Sequence, residues 1–147
     1  MLRRKAIRPL AIEGRSGSGK TQLLRELWPE AQLTRWSSAR DLIDEAVEAV
    51  RADRYAAFEE AMATDERPLV IEHIEDLREK PRTREELKRA LCLRAAGGRP
   101  TVLTLTTGRG RSEIVRWLGR WADLTSLDPR RRRPAAQSVR PRGVELA

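Results

Sequence analysis

Residues 14 to 21 read Gly-Arg-Ser-Gly-Ser-Gly-Lys-Thr and match the pattern G-x-x-x-x-G-K-[ST] at every fixed position. The pattern constrains the fold strongly, because it works only as a tight turn between a strand and a helix. Gly14, Gly17 and Gly19 let the backbone turn sharply. The N–H groups along Arg15, Ser16, Gly17, Ser18 and Gly19 can then point into one concavity, which suits a polyphosphate. Lys20 places a point charge on the outer phosphates, and the Thr21 hydroxyl can enter a Mg²⁺ shell. A helix starting near Gly19 adds its positive N-terminal end.

Both flanks agree with this reading. Residues 9–13, Pro-Leu-Ala-Ile-Glu, form a short apolar run suited to a buried parallel strand. Residues 21–28 are rich in helix formers, with Leu23, Leu24, Leu27 and Trp28 on one face and Pro29 as the stop. A Gly/Ser-rich surface turn would need neither flank.

The chain of 147 residues is long enough for one domain with a real core and too short for two. No apolar run reaches membrane-spanning length, and Met-Leu-Arg-Arg-Lys-Ala at the start leads into no apolar signal core. The single Cys92 excludes an internal disulfide and a cysteine-based metal site, so a cytoplasmic location is the default expectation. The net charge of +8 resembles a nucleic-acid signal, but its distribution matters more. Residues 1–8 carry four basic groups and no acid, and residues 128–147 carry six arginines against Asp128 and Glu145. Everything between balances at 20 basic and 20 acidic residues, so charge alone does not argue for DNA binding.

Further along, residues 32–36 are expected to form a second strand. Ser37 and Ser38 offer N-caps for a helix over 39–52, with Leu42, Ile43, Ala46, Val47 and Val50 at helical spacing. A short helix over 54–62 follows, with Asp53 as its cap. Residues 68–74, Pro-Leu-Val-Ile-Glu-His-Ile, form a third strand ending in an acidic cluster of Glu72, Glu75 and Asp76, the last two at a spacing that suits the following loop. Thr83 and Glu86 read as a capping box for a long helix with a stripe of Leu87, Ala90, Leu91, Arg94 and Ala95, ended by Gly97-Gly98. Residues 100–106 are a fourth strand, Ser112 caps a helix to 117 or 118, and residues 123–127 can form a last strand. From 128 onward the sequence has no period and reads as a disordered, Arg-rich tail. Trp28, Trp36, Trp117 and Trp121 each fall in an element and read as packing residues rather than base-stacking platforms.

Strands alternating with helices imply a three-layer α/β domain with a mainly parallel five-stranded sheet and its ligand at the carboxyl ends of the strands. The expected organisation is a basic arm at 1–7, a P-loop NTPase domain at 8–128 and the tail at 129–147.

The order of these segments resembles the AAA+ ATPase core of the bacterial replication initiator DnaA family, over roughly residues 8–130. The matching stretches are PLAIEGRSGSGKTQLLREL, RADRYAAFEEAM, PLVIEHIEDL followed by RTREELKRAL, PTVLTLTT, and WLGRWADL. The resemblance implies ATP and Mg²⁺ as cofactors and gives roles to particular residues. Glu72 falls at the Mg²⁺-associated aspartate of Walker B, so Thr21 and Glu72 are the metal candidates. His73 falls at the acidic residue that activates water, Thr106 or Thr107 near the γ-phosphate sensor, and Arg120 at the arginine that reaches a neighbouring subunit's nucleotide. Residues 39–63 correspond to the helical insertion that assembles a filament and contacts single-stranded DNA.

Two departures temper the activity the resemblance implies. Glu72 keeps the charge of an aspartate on a longer arm, but His73 loses the fixed charge of a carboxylate, for which Glu75 or Asp76 could substitute although their spacing suits the following loop better. The family continues past residue 130 into a helical lid and a DNA-reading domain, and the 17 residues that remain are expected to hold neither. Since phosphoryl transfer depends almost wholly on positioning and electrostatics, hydrolysis is expected to be weak or absent. The resulting expectation is an ATP- and Mg²⁺-binding, DnaA-like core acting through nucleotide-dependent association in replication initiation or its control. Its partners would be ATP or ADP, a second copy or a DnaA-family protein, and nucleic acid through the Arg-rich tails and residues 39–63, with no membrane. The alternatives are a degenerate, nucleotide-free interaction module and a small P-loop kinase.

Overall fold

The computed structural model describes residues 5–17, 19–27 and 34–127. Five strands, β1 (Leu10–Gly14), β2 (Arg35–Ser38), β3 (Leu69–Glu72), β4 (Thr101–Thr106) and β5 (Asp123–Ser126), form one sheet in the order β2-β3-β4-β1-β5. Every pairing is parallel. The helices are α1 (Lys20–Leu27), α2 (Ala39–Arg51), α3 (Tyr55–Thr64), α4 (Pro81–Ala96) and α5 (Arg111–Leu118). A 3₁₀ turn at Ile74–Leu77 links β3 to α4.

Two-residue alternation divides the strand side chains between two cores. Ala11, Leu69, Ile71, Leu103 and Leu105 pack beneath α2, α4 and α5, against Leu42, Leu87, Leu91, Ile114 and Leu118. Leu10, Ile12, Val70 and Val102 face the other way, against Leu24 of α1. The three layers expected from the sequence are therefore present, with a sheet that is wholly parallel.

Local differences have identifiable causes. β2 is Arg35–Ser38 rather than 32–36, of which residues 32 and 33 lie outside the described part. Ser38 ends that strand and caps α2, accepting a 3.0 Å bond from the Asp41 N–H, as expected. Asp53 does not cap α3: it sits at φ 54°, and Arg54 occupies the cap position without a side-chain bond. α4 begins at Pro81, whose fixed φ suits a first helical position, so Thr83 lies inside the first turn and no capping box forms. α5 starts at Arg111, with Gly110 at φ 82° in the cap position in place of Ser112. β3 stops at Glu72 because His73 takes a left-handed conformation (φ 61°, ψ 50°) that turns Ile74 into the 3₁₀ turn. Trp117 is buried in the larger core and meets Trp121 edge-on at 5.0 Å, which agrees with a packing role. Trp28 and the tail from 128 lie outside the described residues.

Arg94, expected on the apolar stripe of α4, is there and fully buried. Its five N–H donors meet five acceptors. Nε donates to Thr101 Oγ1 at 2.9 Å, Nη1 to the carbonyls of Met62 and Asp65, and Nη2 to those of Arg67 and Pro100. Burial pushes its guanidinium down to about 10, so it stays charged at neutral pH. One side chain thus ties the end of α3, the 65–67 loop and the start of β4 to α4.

In the same loop the Asp65 carboxylate accepts from the Arg67 side chain and N–H. These bonds hold it at about 2, below the ordinary carboxylate value. A depressed folded-state value means the stabilisation is whole above about pH 4 and disappears as pH falls towards 2. Asp65→Asn is expected to flatten the acid limb of a stability-versus-pH curve in that window. Superimposable acid limbs would show that the pair contributes nothing.

Candidate functional site

The register of the sheet brings the expected residues to one end. Gly14, the last residue of β1, lies opposite Thr106, the last of β4, while Glu72 closes β3 beside Ser38. Thr107 donates its N–H to the Gly14 carbonyl at 3.0 Å, joining the loop after β4 to the start of the phosphate loop.

Between β1 and α1 the chain turns through Gly17 (φ 79°) and Gly19 (φ 89°), backbone conformations that side-chain-bearing residues rarely adopt. Among the described residues, and apart from chain neighbours, no atom lies within 4 Å of where a Cβ would sit at either glycine, so the space there is open. Arg15 and Ser16 are exposed, and Ser18 lies outside the described residues. α1 starts at Lys20, so the first-turn amides of an eight-residue helix face the cradle without intrahelical partners.

The Lys20 side chain is 9% exposed, and its ammonium donates to the carbonyls of Gly14 (2.8 Å) and Arg15 (2.9 Å). Burial pushes Lys20 below its ordinary value, and the nearby Glu75 and then Glu72 oppose that shift. The Thr21 hydroxyl donates to Glu72 Oε1 at 3.1 Å, which leaves its lone pairs available to a cation.

That pairing fits Mg²⁺. Among the described residues no group of three or more His, Cys, Asp or Glu could hold a metal. A cation at Thr21 and Glu72 would draw most of its shell from water and phosphate oxygens, as Mg²⁺ does and structural Zn²⁺ does not.

Other expected residues fall differently. His73 lies at the site edge, its side chain 55% exposed, with its N–H bonded to Thr104 Oγ1 at 3.1 Å. Arg120 is exposed in the turn between α5 and β5, and its carbonyl accepts from Arg8. The strand that follows starts level with Leu10, at the opposite end of β1 from the loop. Roughly 13 Å of strand separates the two ends, so Arg120 does not belong to the group of residues around its own phosphate loop. Residues 39–63 form α2 and most of α3, and α2 exposes Val47 and Val50.

Two further carboxylates belong to the site. Glu75, one of the two acids open as a substitute carboxylate, follows the left-handed conformation at His73 and reaches the end of β4. Its Oε1 accepts the Thr106 N–H at 3.0 Å, and its Oε2 meets His73 Nδ1 at 3.2 Å. Glu13, 1% exposed just before Gly14, pairs through both carboxylate oxygens with the Arg111 guanidinium at the start of α5. A charged residue at the end of an otherwise apolar strand is the one available signal for this second anchor.

The sequence matches no protein-family model and no curated protein significantly. Solved structures do resemble it. AMPPCP-bound DnaA from Aquifex aeolicus aligns with a TM-score of 0.67 at 22% identity, over 82% of this chain and 40% of that one. Domain III of Thermotoga maritima DnaA aligns at 0.63 and 20% identity, over 84% and 55%. The DnaC helicase loader aligns at 0.60 and 16% identity, over 86% and 81%. The chain therefore spans about two fifths to just over half of these DnaA structures. The fold is the one shared by the matched parts of these DnaA structures and of the DnaC helicase loader.

Proposed function

We propose that the chain is an ATP- and Mg²⁺-binding AAA+ module with slow hydrolysis, acting through nucleotide-dependent association in replication initiation or its control. The observation that carries this reading is the open cradle at Gly17 and Gly19, with Lys20 at its base and the Thr21–Glu72 pair beside it. A replication initiator DnaA with this fold is bound to AMPPCP and single-stranded DNA, which supports nucleotide binding here. Contact of residues 39–63 or of the arginine-rich ends with nucleic acid, and a cytoplasmic location, belong to the same proposal. No helix among the described residues is long and apolar enough to cross a membrane.

Bound ATP with Mg²⁺ would supply the electrophilic phosphorus. The protein's part is to hold it: Lys20 and the loop N–H groups neutralise phosphate charge, and Thr21 and Glu72 orient the cation. Slow turnover follows from His73 standing where the family carries a second acid.

A second reading, a protein-interaction module that uses no nucleotide, draws on a different feature. A cavity of about 430 Å³ opens between α2, α3 and α4, lined by Leu42, Val47, Val50, Phe58 and Leu87. Sedimentation of the intact chain with ATP, with ADP and with neither separates the two. Association with ATP that Arg120→Ala removes, at unchanged ATP affinity, is expected. One size in all three states would overturn the association claim.

A further inference from the structure

Among the described residues four large apolar side chains are exposed, and two of them stand three residues apart on α2: Val47 at 44% and Val50 at 62%. Both line the cavity of about 430 Å³ between α2, α3 and α4, together with Phe58, Met62 and Leu87. They therefore extend an apolar surface that the domain itself does not cover, which single exposed valines would not do.

The charges beside them have a symmetry of their own. Asp44 and Arg51 are exposed on either side of Val47, three residues before it and four after, so both lie on one flank of the helix. Glu45 of the same helix pairs with Arg35, whereas Asp44 and Arg51 have no ion-pair partner among the described residues. The two are equally distant from the midpoint between Val47 and Glu48. A two-fold axis through that midpoint, perpendicular to the helix, sets Asp44 of one α2 against Arg51 of a second, antiparallel α2, and Arg51 against Asp44. Such an axis keeps each flank on its own side, so both pairs form along one edge of the contact. A parallel arrangement in register would instead set like charges together.

We propose that the chain pairs with a second copy of itself through α2, in a closed two-fold dimer. Val47 and Val50 of each copy lie at its centre, over the other's cavity, and two Asp44–Arg51 ion pairs line its edge. The second copy is the occupant whose charges match the groove. The contact joins like to like and stops at two copies, unlike a head-to-tail filament, which joins unlike surfaces. It uses no nucleotide and does not depend on the reading of the phosphate loop.

Sedimentation of the intact chain without nucleotide tests the pairing, with twice the chain mass expected at roughly 10–100 µM. Asp44→Arg sets a second arginine against Arg51, and Arg51→Asp sets a second acid against Asp44. Each variant should therefore be monomeric over the same range, with the circular dichroism of the intact chain, since both positions are exposed. Mixed one to one, the two variants should pair again, because each contact between them joins an acid to an arginine. The chain carrying both substitutions should dimerise for the same reason. A monomeric intact chain up to roughly 100 µM, undiminished dimers in either single variant, or a mixture that stays monomeric would overturn the proposal. ATP binding, measured separately, decides the nucleotide reading whichever way these results fall.

Discussion

Arg94→Ala is expected to destabilise the domain by about 3–5 kcal/mol, because several acceptors lose a charged hydrogen-bond donor at once. The guanidinium is fully buried and fills all five of its donors. Removing it leaves the carbonyls of Met62, Asp65, Arg67 and Pro100 and the Thr101 hydroxyl without that partner, and buried acceptors that cannot reach water carry their full desolvation penalty. Arg94→Lys keeps the charge but has three donors on a point-like head. It should recover less than half of the loss. Urea or thermal unfolding measures both variants, and a loss under about 1 kcal/mol for the alanine would show that water replaces the network freely.

Lys20→Ala should weaken ATP binding by roughly a hundredfold or more, with the fold retained. A desolvated ammonium facing phosphate typically accounts for about 2–5 kcal/mol of binding free energy. Without a phosphate the Lys20 head bonds the carbonyls of Gly14 and Arg15, which keeps it at the base of the cradle rather than in solvent. The alanine therefore loses a preplaced cation as well as a charge. Equal ATP affinity in the two forms would show that the loop does not bind phosphate through this lysine.

What can be read from the sequence is what neighbouring residues decide. Gly17, Gly19, Lys20 and Thr21 are specified by the turn they make, and Ser38 caps α2 by reaching three residues forward. The alternation of apolar residues in β1, β3 and β4 sets the layers. Start signals fail where two compete: Pro81 takes the first position of α4 ahead of Thr83, and Gly110 displaces Ser112. Arg94 shows a subtler limit. Helical spacing places it on the buried face correctly, but no local pattern shows that four carbonyls and a hydroxyl converge there.

The parts of the site that are not legible depend on distance or on a single dihedral. Glu13 and Arg111 are 98 residues apart and meet because β1 and the start of α5 share one end of the sheet. Glu75 reaches the Thr106 N–H at the end of β4 because His73 adopts a left-handed turn, unusual for a residue with a side chain. Spacing alone puts that carboxylate in the following loop.

The central claim is that this loop binds a nucleoside triphosphate. Calorimetric titration of the intact chain with ATP and Mg²⁺ tests it most directly. Saturable one-to-one binding, weakened when Mg²⁺ is chelated and competed by ADP, is the expected result. No binding heat and no displacement by ADP, up to roughly 1 mM ATP, would contradict it.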